Sequence, residues 1–563
     1  MVSQIESQIR EALENYNNFL VEAGAGSGKT WSLVQALSYL IETKESFLKR
    51  ENKKIVCITY TNVARDEIIN RLNVNDIIKV NTIHEFLWEV IKPFQKELRN
   101  ELIIFYQNKI ETANKNREKH LELIGQLSEV SPRVEYREYK IHAKGIITHD
   151  DILWLFVSLI QKYKSLQKLI EDSFPFIFID EYQDSNKGVI EAFLEAFFSN
   201  QKVVLGLFGD HFQKIYDGSI GEVDAVKYKL KVIKKSENYR CSTEIINILN
   251  KLRTDIQQIP VGEERRGKGI FYYLPNYNEI EKQFKEQLKN DFDGLEIENF
   301  KNLYLVNKKI AQINGYFNLY ELYNSKRSYS ERFKKKDYIL NNKNNRDCEY
   351  ANLLFEVENL LHLFKENRAQ DIFKIIRLKV NNREDLNALY NTLNNLLNLS
   401  AYGSIGEVLD FLISSQILDI GKQVIRDFRD ESEEFIKRLK EISYKEFVKL
   451  YLTLKEDSLY STQHGTKGAE FDNVLCFIDD NEWRNYNLEN YLINNQAKLK
   501  IVERTRNLFY VVCSRAKYRL AIVCKSELGV QAQDKIKDIF GVSNFITIEN
   551  ETHTHLEEER IFL

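Results

Sequence analysis

The sequence predicts an α/β protein built on parallel strands and interrupted by two helical insertions. Short apolar runs at Phe19–Val21, Ile55–Tyr60, Phe176–Ile179, Val203–Phe208 and Val474–Ile478 alternate with helical stretches, the pattern of strands joined by crossover helices. A glycine-rich turn follows the first run, and a pair of carboxylates closes the third. Two segments break the alternation. Residues 89–145 are strongly charged, with a long helix-like pattern from Phe94 to Val130, and residues 326–454 repeat amphipathic helices such as Leu353, Leu354, Val357, Leu360, Leu361 and Phe364.

The first strand leads into Ala23-Gly24-Ala25-Gly26-Ser27-Gly28-Lys29-Thr30. Glycines let the main chain turn tightly enough for successive N–H groups to point at the β- and γ-phosphates of a nucleotide. Lys29 would place its ammonium there, and Thr30 would offer its hydroxyl to a magnesium ion. The Trp31–Leu40 stretch then reads as a helix whose positive end faces the anion. Read alone, such a turn is also an ordinary loop, and its first position is Ala23 rather than glycine.

The third run ends in Asp180-Glu181-Tyr182-Gln183-Asp184. Adjacent carboxylates at a strand end repel each other and cost several kcal/mol to desolvate unless a cation sits beside them. Asp180 suits magnesium, and Glu181 can take a proton from an attacking water. The bland alternative is an acidic turn. With the cradle upstream, the pair points to hydrolysis of a nucleoside triphosphate.

The 563 residues exceed a single core, and about 150 residues per domain implies three or four units. A formal net charge of -3 argues against a general polyanion coat without excluding a basic groove. Six cysteines form no Cys-x-x-Cys pair, so buried thiols are expected rather than disulfides or zinc. No run approaches the ~18 apolar residues that span a bilayer, and no signal-like start is present, so a cytoplasmic protein with no membrane partner is expected. Asp337–Glu349 reads as an exposed loop, and Glu557–Arg560 as a charged helix end with no appended nuclease cluster.

Further motifs follow in order. They are Thr59–Ala64 (TYTNVA), Thr82–Phe86 (TIHEF), Phe208–Tyr216 (FGDHFQKIY), Glu237–Arg240 (ENYR), Thr462–Phe471 (TQHGTKGAEF) and Leu508–Ala516 (LFYVVCSRA). With the cradle and the carboxylates, this series resembles the motif set of Rep/UvrD-type superfamily 1 DNA helicases and covers most of 8–519 outside the two insertions. The resemblance implies two RecA-like parallel-sheet domains with ATP and Mg2+ in the cleft between them. The first would comprise 1–88 and 146–228, and the second 229–325 and 455–563. Residues 89–145 and 326–454 would be the helical insertion subdomains.

By the same resemblance, Gln8 would read adenine, Tyr239 would stack on it, and Glu470 would lie near the ribose. Gln213 would sense the γ-phosphate, with Arg240 and Arg515 arriving from the second domain as arginine fingers. A finger of that kind is worth about 10³–10⁵ in rate. Each arginine read alone is equally well a surface ion pair. Contacts to single-stranded or forked DNA would come from Tyr60, Thr61, Asn62, Thr82, His84, Tyr216, Thr462 and His464, by stacking and small polar contacts. Tyr60 also reads as the end of a buried strand, and His84 as a turn histidine.

Two positions depart from the family pattern. Asp217-Gly218-Ser219 stands where an aromatic platform is usual, and Trp31 where Arg often follows the cradle threonine. The compact insertions and the stretch Tyr216–Gly221 resemble small helicases of bacterial anti-phage systems such as the helicase component of Gabija, which works with a separate OLD-family nuclease. Two functions therefore stand open: a 3′-5′ single-stranded DNA translocase and helicase, or a nucleotide- or DNA-gated ATPase subunit that regulates a partner nuclease with little unwinding. An RNA-directed motor also fits backbone-and-stacking contacts, which separate sugars only through the 2′-OH.

Overall fold

The computed structural model describes residues 3–72, 76–112, 116–130, 132–137, 139–199, 201–275, 282–325, 340, 349–430, 434–455 and 458–548. Two six-stranded parallel sheets organise it. The first contains β1 (Phe19–Ala23), β2 (Ile55–Thr59), β3 (Ile78–Thr82), β4 (Phe176–Asp180), β5 (Val204–Gly209) and β6 (Lys231–Lys235), in the order β3-β2-β4-β5-β1-β6. The second contains β7 (Lys268–Tyr273), β8 (Lys301–Tyr304), β9 (Tyr460–Thr462), β10 (Phe471–Ile478), β11 (Ala516–Cys524) and β12 (Phe545–Thr547), in the order β9-β8-β10-β11-β7-β12. The chain thus has two RecA-like α/β domains.

Because strand side chains alternate between faces, each sheet feeds two cores. In the first sheet Leu20, Val56, Ile58, Ile177, Ile179, Leu205 and Leu207 pack against the helices Ile83–Ile91, His149–Lys162 and Lys187–Phe197. Their neighbours Phe19, Val21, Ile55, Cys57, Phe176, Phe178 and Phe208 face the helices Gln4–Glu14 and Lys29–Arg50. In the second sheet Phe271, Tyr273, Cys476, Ile522 and Cys524 meet the helices Thr243–Leu252, Leu499–Cys513 and Val530–Phe540. The opposite face, with Ile270, Tyr272, Leu475, Phe477, Ala521 and Val523, shares one apolar core with helices of the segment 349–453.

Several elements differ from the sequence expectation. The pattern from Phe94 to Val130 is two helices, Gln95–Thr112 and Arg117–Glu129, with Asn116 left-handed at the break. Lys231–Lys235 pairs with β1 and so belongs to the first sheet, although the second domain was expected to begin at 229. Its alternation is weak, with lysine at three of five positions, and only Ile233 enters the apolar core. The described cysteines Cys57, Cys241, Cys476, Cys513 and Cys524 are buried and free. Apart from Leu340 and Glu349, the segment expected as a loop at 337–349 lies outside the described residues, as does 557–560. No helix among the described residues is long and apolar enough to cross a membrane.

Phe178 is fully buried, with the rings of Phe19 and Phe208 at 6.1 and 5.9 Å. Phe178→Ala should destabilise the first domain by about 3–5 kcal/mol, read as a lower urea midpoint for the transition that includes this sheet.

Candidate functional site

The cradle forms because β1 delivers a buried Ala23 to a turn that only glycine can make in two places. Gly26 and Gly28 are left-handed, with φ of 74 and 76°. A side chain on Gly26 would also come within 2.7 Å of the Arg240 Cβ. Gly28 leads into the helix Lys29–Arg50, whose first-turn N–H groups open onto a cavity of about 1130 Å³. Residues Gly24 to Trp31 line that cavity.

Beside the cradle, β4 ends in Asp180, and the left-handed Glu181 (φ 48°) turns the chain into the short helix Tyr182–Asp184. Asp180 and Asp184 are buried, and Lys29 Nζ lies 2.9 Å from Glu181 Oε2. Burial and the neighbouring Glu181 push the Asp180 carboxyl up. Burial would raise Glu181 too, but Lys29 and Lys467 hold it below the usual carboxylate range. Burial pushes Asp184 up to about 6 despite its ion pair with Lys467.

The opposite wall comes from the second sheet's side. Arg515, at the start of β11, is 1% exposed, and its Nη2 donates to Gln213 Oε1 at 3.3 Å while Nη1 donates to the Ala469 carbonyl at 3.0 Å. Burial, with Arg240 beside it, lowers the guanidinium to about 10. Gln213 is positioned by a 2.7 Å donation from its Nε2 to Asp210. Arg240 Nε meets Glu470 Oε2 at 2.6 Å, and Lys517 holds the other oxygen at 3.2 Å. Lys467 donates to the Gln213 carbonyl and pairs with Asp184. Asp180, Glu181, Gln213, Arg240, Glu470 and Arg515 all line the one cavity, as do Tyr239 and Lys467.

Gln8 does not line it. Its helix packs along the helix Lys29–Arg50 and β6, and Gln8 is half-buried there. Tyr239 is 47% exposed at the cavity, and Trp31, on the cradle's own helix, is 53% exposed. Two large aromatics thus stand open where a base would lie.

The remaining sequence-expected residues gather at the carboxyl ends of the strands, where ligands of open parallel sheets sit. Tyr60 stacks on Tyr216 with ring centroids 5.7 Å apart and 23° between planes, and both line the cavity with Thr61. Burial and Tyr60 push the Tyr216 hydroxyl up to about 12. Thr61 Oγ1 accepts from Ala64 N at 3.2 Å, and Asn62 starts the helix Asn62–Leu72 on the surface. Thr82, in register with Thr59, caps the helix Ile83–Ile91. His84, in that helix's first turn, sits 4.7 Å from the His149 ring, and burial lowers its pKa. Thr462 ends β9 and accepts from Gly465 N at 3.0 Å, while the His464 ring packs 5.4 Å from Trp483.

Both departures have structural partners. Asp217 pairs across the cleft with Arg504, and the left-handed Gly218 (φ 79°) leaves open space where a side chain would stand. Lys467 was given no role from sequence, although it lies inside a quoted motif. Asp210 and Tyr510 likewise lie inside quoted motifs, whereas Arg253 follows an amphipathic helix with no local signal for the site.

Magnesium fits this chemistry. The buried Asp180, the Thr30 position and the unpartnered buried oxygens Ser27 Oγ and Asp184 Oδ1 supply hard donors beside a glycine cradle.

A family profile described as an AAA domain matches residues 6–219. The chain is 26% identical to Gabija protein GajB of Bacillus cereus (strain HuB5-5), over 95% of this chain and 96% of that protein. It is 24% identical to the ATP-dependent DNA helicase Rep of Buchnera aphidicola subsp. Schizaphis graminum, over 80% of this chain and 71% of Rep. These likenesses support a UvrD/Rep-like helicase resembling GajB. The chain is also 23% identical to the ATP-dependent DNA helicase PcrA of Staphylococcus epidermidis (strain RP62A), over 54% of this chain and 48% of PcrA. The cavity with cradle, carboxylates and arginines is the candidate ATP site of an ATP-hydrolysing enzyme.

Lys29→Ala removes the cation that faces Glu181 and the phosphates. Turnover should drop by orders of magnitude, below detection in a phosphate-release assay.

Proposed function

We propose that this chain is an ATP-driven motor that moves 3′ to 5′ on single-stranded DNA and separates forked duplexes. The observation that carries the reading is one cavity lined from both sides, with Lys29 and Asp180 on the first sheet's wall and Arg240 and Arg515 on the second's. Hydrolysis that needs groups from both walls depends on closure, and loss of the γ-phosphate lets the cleft reopen. We place the first domain at 1–88 and 146–235, extended to 235 because β6 pairs with β1. The second then comprises 236–325 and 455–563, with 89–145 and 326–454 as helical insertions.

In this mechanism Lys29 and the cradle N–H groups hold the phosphates of ATP. Thr30 and Asp180 would hold Mg2+, which would supply positive charge to the phosphates when bound. Glu181 accepts the proton of the attacking water once the nucleotide draws Lys29 away from it. Arg515, already aimed at Gln213, and Arg240, released from Glu470, stabilise the charge that develops on the transferred group. Tyr239 stacks on the base, and Trp31 adds a second ring beside it. Gln8 is kept as the adenine reader only if its helix shifts towards the cavity. Tyr60, Thr61, Asn62, Thr82, His84, Tyr216, Thr462 and His464 form the DNA track. The Tyr60–Tyr216 stack opens to receive a base, worth about 1–3 kcal/mol per base stacked.

The likeness to Gabija protein GajB over nearly the whole chain supports an anti-phage role, and we further propose that the protein works in the cytoplasm beside an OLD-family nuclease. A second reading, a nucleotide- or DNA-gated regulator of that nuclease with little unwinding, draws on the Asp217–Arg504 pair, which stands where the sequence resemblance implies an aromatic platform.

ATP turnover should rise at least about tenfold, about 1.4 kcal/mol of barrier, on adding an oligothymidylate strand. A duplex with a 3′ tail should then be displaced faster than one with a 5′ tail. Stimulated turnover without displacement selects the regulator, and no stimulation removes the motor. Glu181→Gln should bind ATP yet stall, since an amide accepts no proton. Arg515→Ala should lower kcat by about 10³ or more and leave ATP affinity within an order of magnitude, as read by single-turnover hydrolysis.

A further inference from the structure

Outside the cavity lining lies a fully buried guanidinium that joins the two domains. Arg253 follows the helix Thr243–Leu252 on the second sheet's side, yet its Nη1 reaches both oxygens of Asp210, at the end of β5, at 3.0 and 3.1 Å. The same nitrogen donates to the Tyr510 hydroxyl at 3.0 Å, while Nε and Nη2 hold Asp255 at 2.9 and 2.7 Å. The rings of Phe212 and Tyr510 cover the guanidinium at 4.6 and 5.2 Å. Neither Arg253 nor Asp210 has an exposed side-chain atom.

Both carboxylate and hydroxyl lead onward to the ATP site. Asp210 accepts from Gln213 Nε2 at 2.7 Å, and Gln213 Oε1 accepts from Arg515. Tyr510 OH accepts from the cradle N–H of Ala25 at 3.3 Å. Glu22, Asp210 and His211 bring ligand atoms close enough to hold a metal, but Arg253 already supplies the cation at Asp210, and Tyr182 donates to Glu22. A buried ion pair of this kind adds little net stability over an apolar filling. Its geometry is therefore the feature to explain.

We infer that Arg253 is a positioning residue for ATP hydrolysis. Through Asp210 it sets the Gln213 amide against Arg515, and through Tyr510 it sets the cradle at Ala25, so both walls are registered by one rigid fork. The inference rests on the roles proposed for Gln213 and Arg515.

The test uses the full chain carrying Arg253→Gln, Arg253→Lys or Tyr510→Phe. It compares steady-state ATP turnover with oligothymidylate, equilibrium binding of a fluorescent ATP analogue, and melting. Arg253→Gln should lower kcat about tenfold or more while the analogue's Kd stays within about threefold. Arg253→Lys should recover part of kcat, because charge returns to Asp210 without the fork. Tyr510→Phe, which removes one hydroxyl and keeps the ring, should lower kcat about threefold at unchanged Kd, with a small drop in melting temperature from the N–H groups left without an acceptor. A kcat within about twofold of the parent in both Arg253→Gln and Tyr510→Phe overturns the inference. So does a loss of kcat matched by equal loss of analogue binding and of melting temperature in every variant, which marks a purely structural residue. Arg515→Ala and Gln213→Ala serve as separate arms. If those two keep full turnover, the ATP-site reading fails; if they are inactive and the Arg253 and Tyr510 variants are normal, only the positioning role is lost.

Discussion

Charge balance in one buried corner is the constraint on which the rest of this molecule depends. Asp180, Glu181 and Asp184 gather within a single turn, and Asp210 lies nearby behind Gln213. Carboxylates so placed are tolerable only with cations close by. Lys29 comes from the cradle, but Lys467 and Arg253 come from the second sheet's side. The acidic wall of one domain is therefore completed by basic groups of the other, and the cleft is an electrostatic joint as well as a cavity.

That joint accounts for the shape of the surrounding backbone. Glu181 adopts a left-handed conformation unusual for a residue with a side chain, and it does so where its carboxylate meets Lys29. Gly26 has no room for a Cβ because Arg240 and Asn238 approach from the segment leading to the second sheet. A left-handed Glu181 and a Gly26 with no room for a side chain thus both lie where the two domains meet, where a change of bound nucleotide can act upon them.

Much of this was legible in the sequence because its signals are local. A cradle needs glycines at fixed spacing, and a carboxylate pair at a strand end needs an apolar run before it, so Gly24–Thr30 and Phe176–Glu181 announce themselves. Strands buried on both faces, such as Phe176–Ile179, are equally plain. Other features depend on partners far along the chain. Lys231–Lys235 has too little apolar character to signal a strand, and pairing with Phe19–Ala23 makes it one. Arg253 reads as surface because nothing near it in sequence predicts Asp210 or Tyr510. Gln8 is the reverse case: its motif is present, and its helix packs along the neighbouring helix without Gln8 lining the cavity. Asn116 ends a helical pattern that periodicity alone carries straight through.

The helices of 349–453 have a consequence for anyone wishing to pare this protein down. They cover the face of the second sheet that carries Ile270, Tyr272, Leu475, Phe477, Ala521 and Val523, in one continuous apolar core. Excising them would leave a bare sticky plane in water, prone to clumping. A minimal version of the enzyme would need a substitute roof of equal greasiness, whereas the outlying helix Arg117–Glu129, with Leu127 as its only buried residue, could be trimmed at far smaller cost.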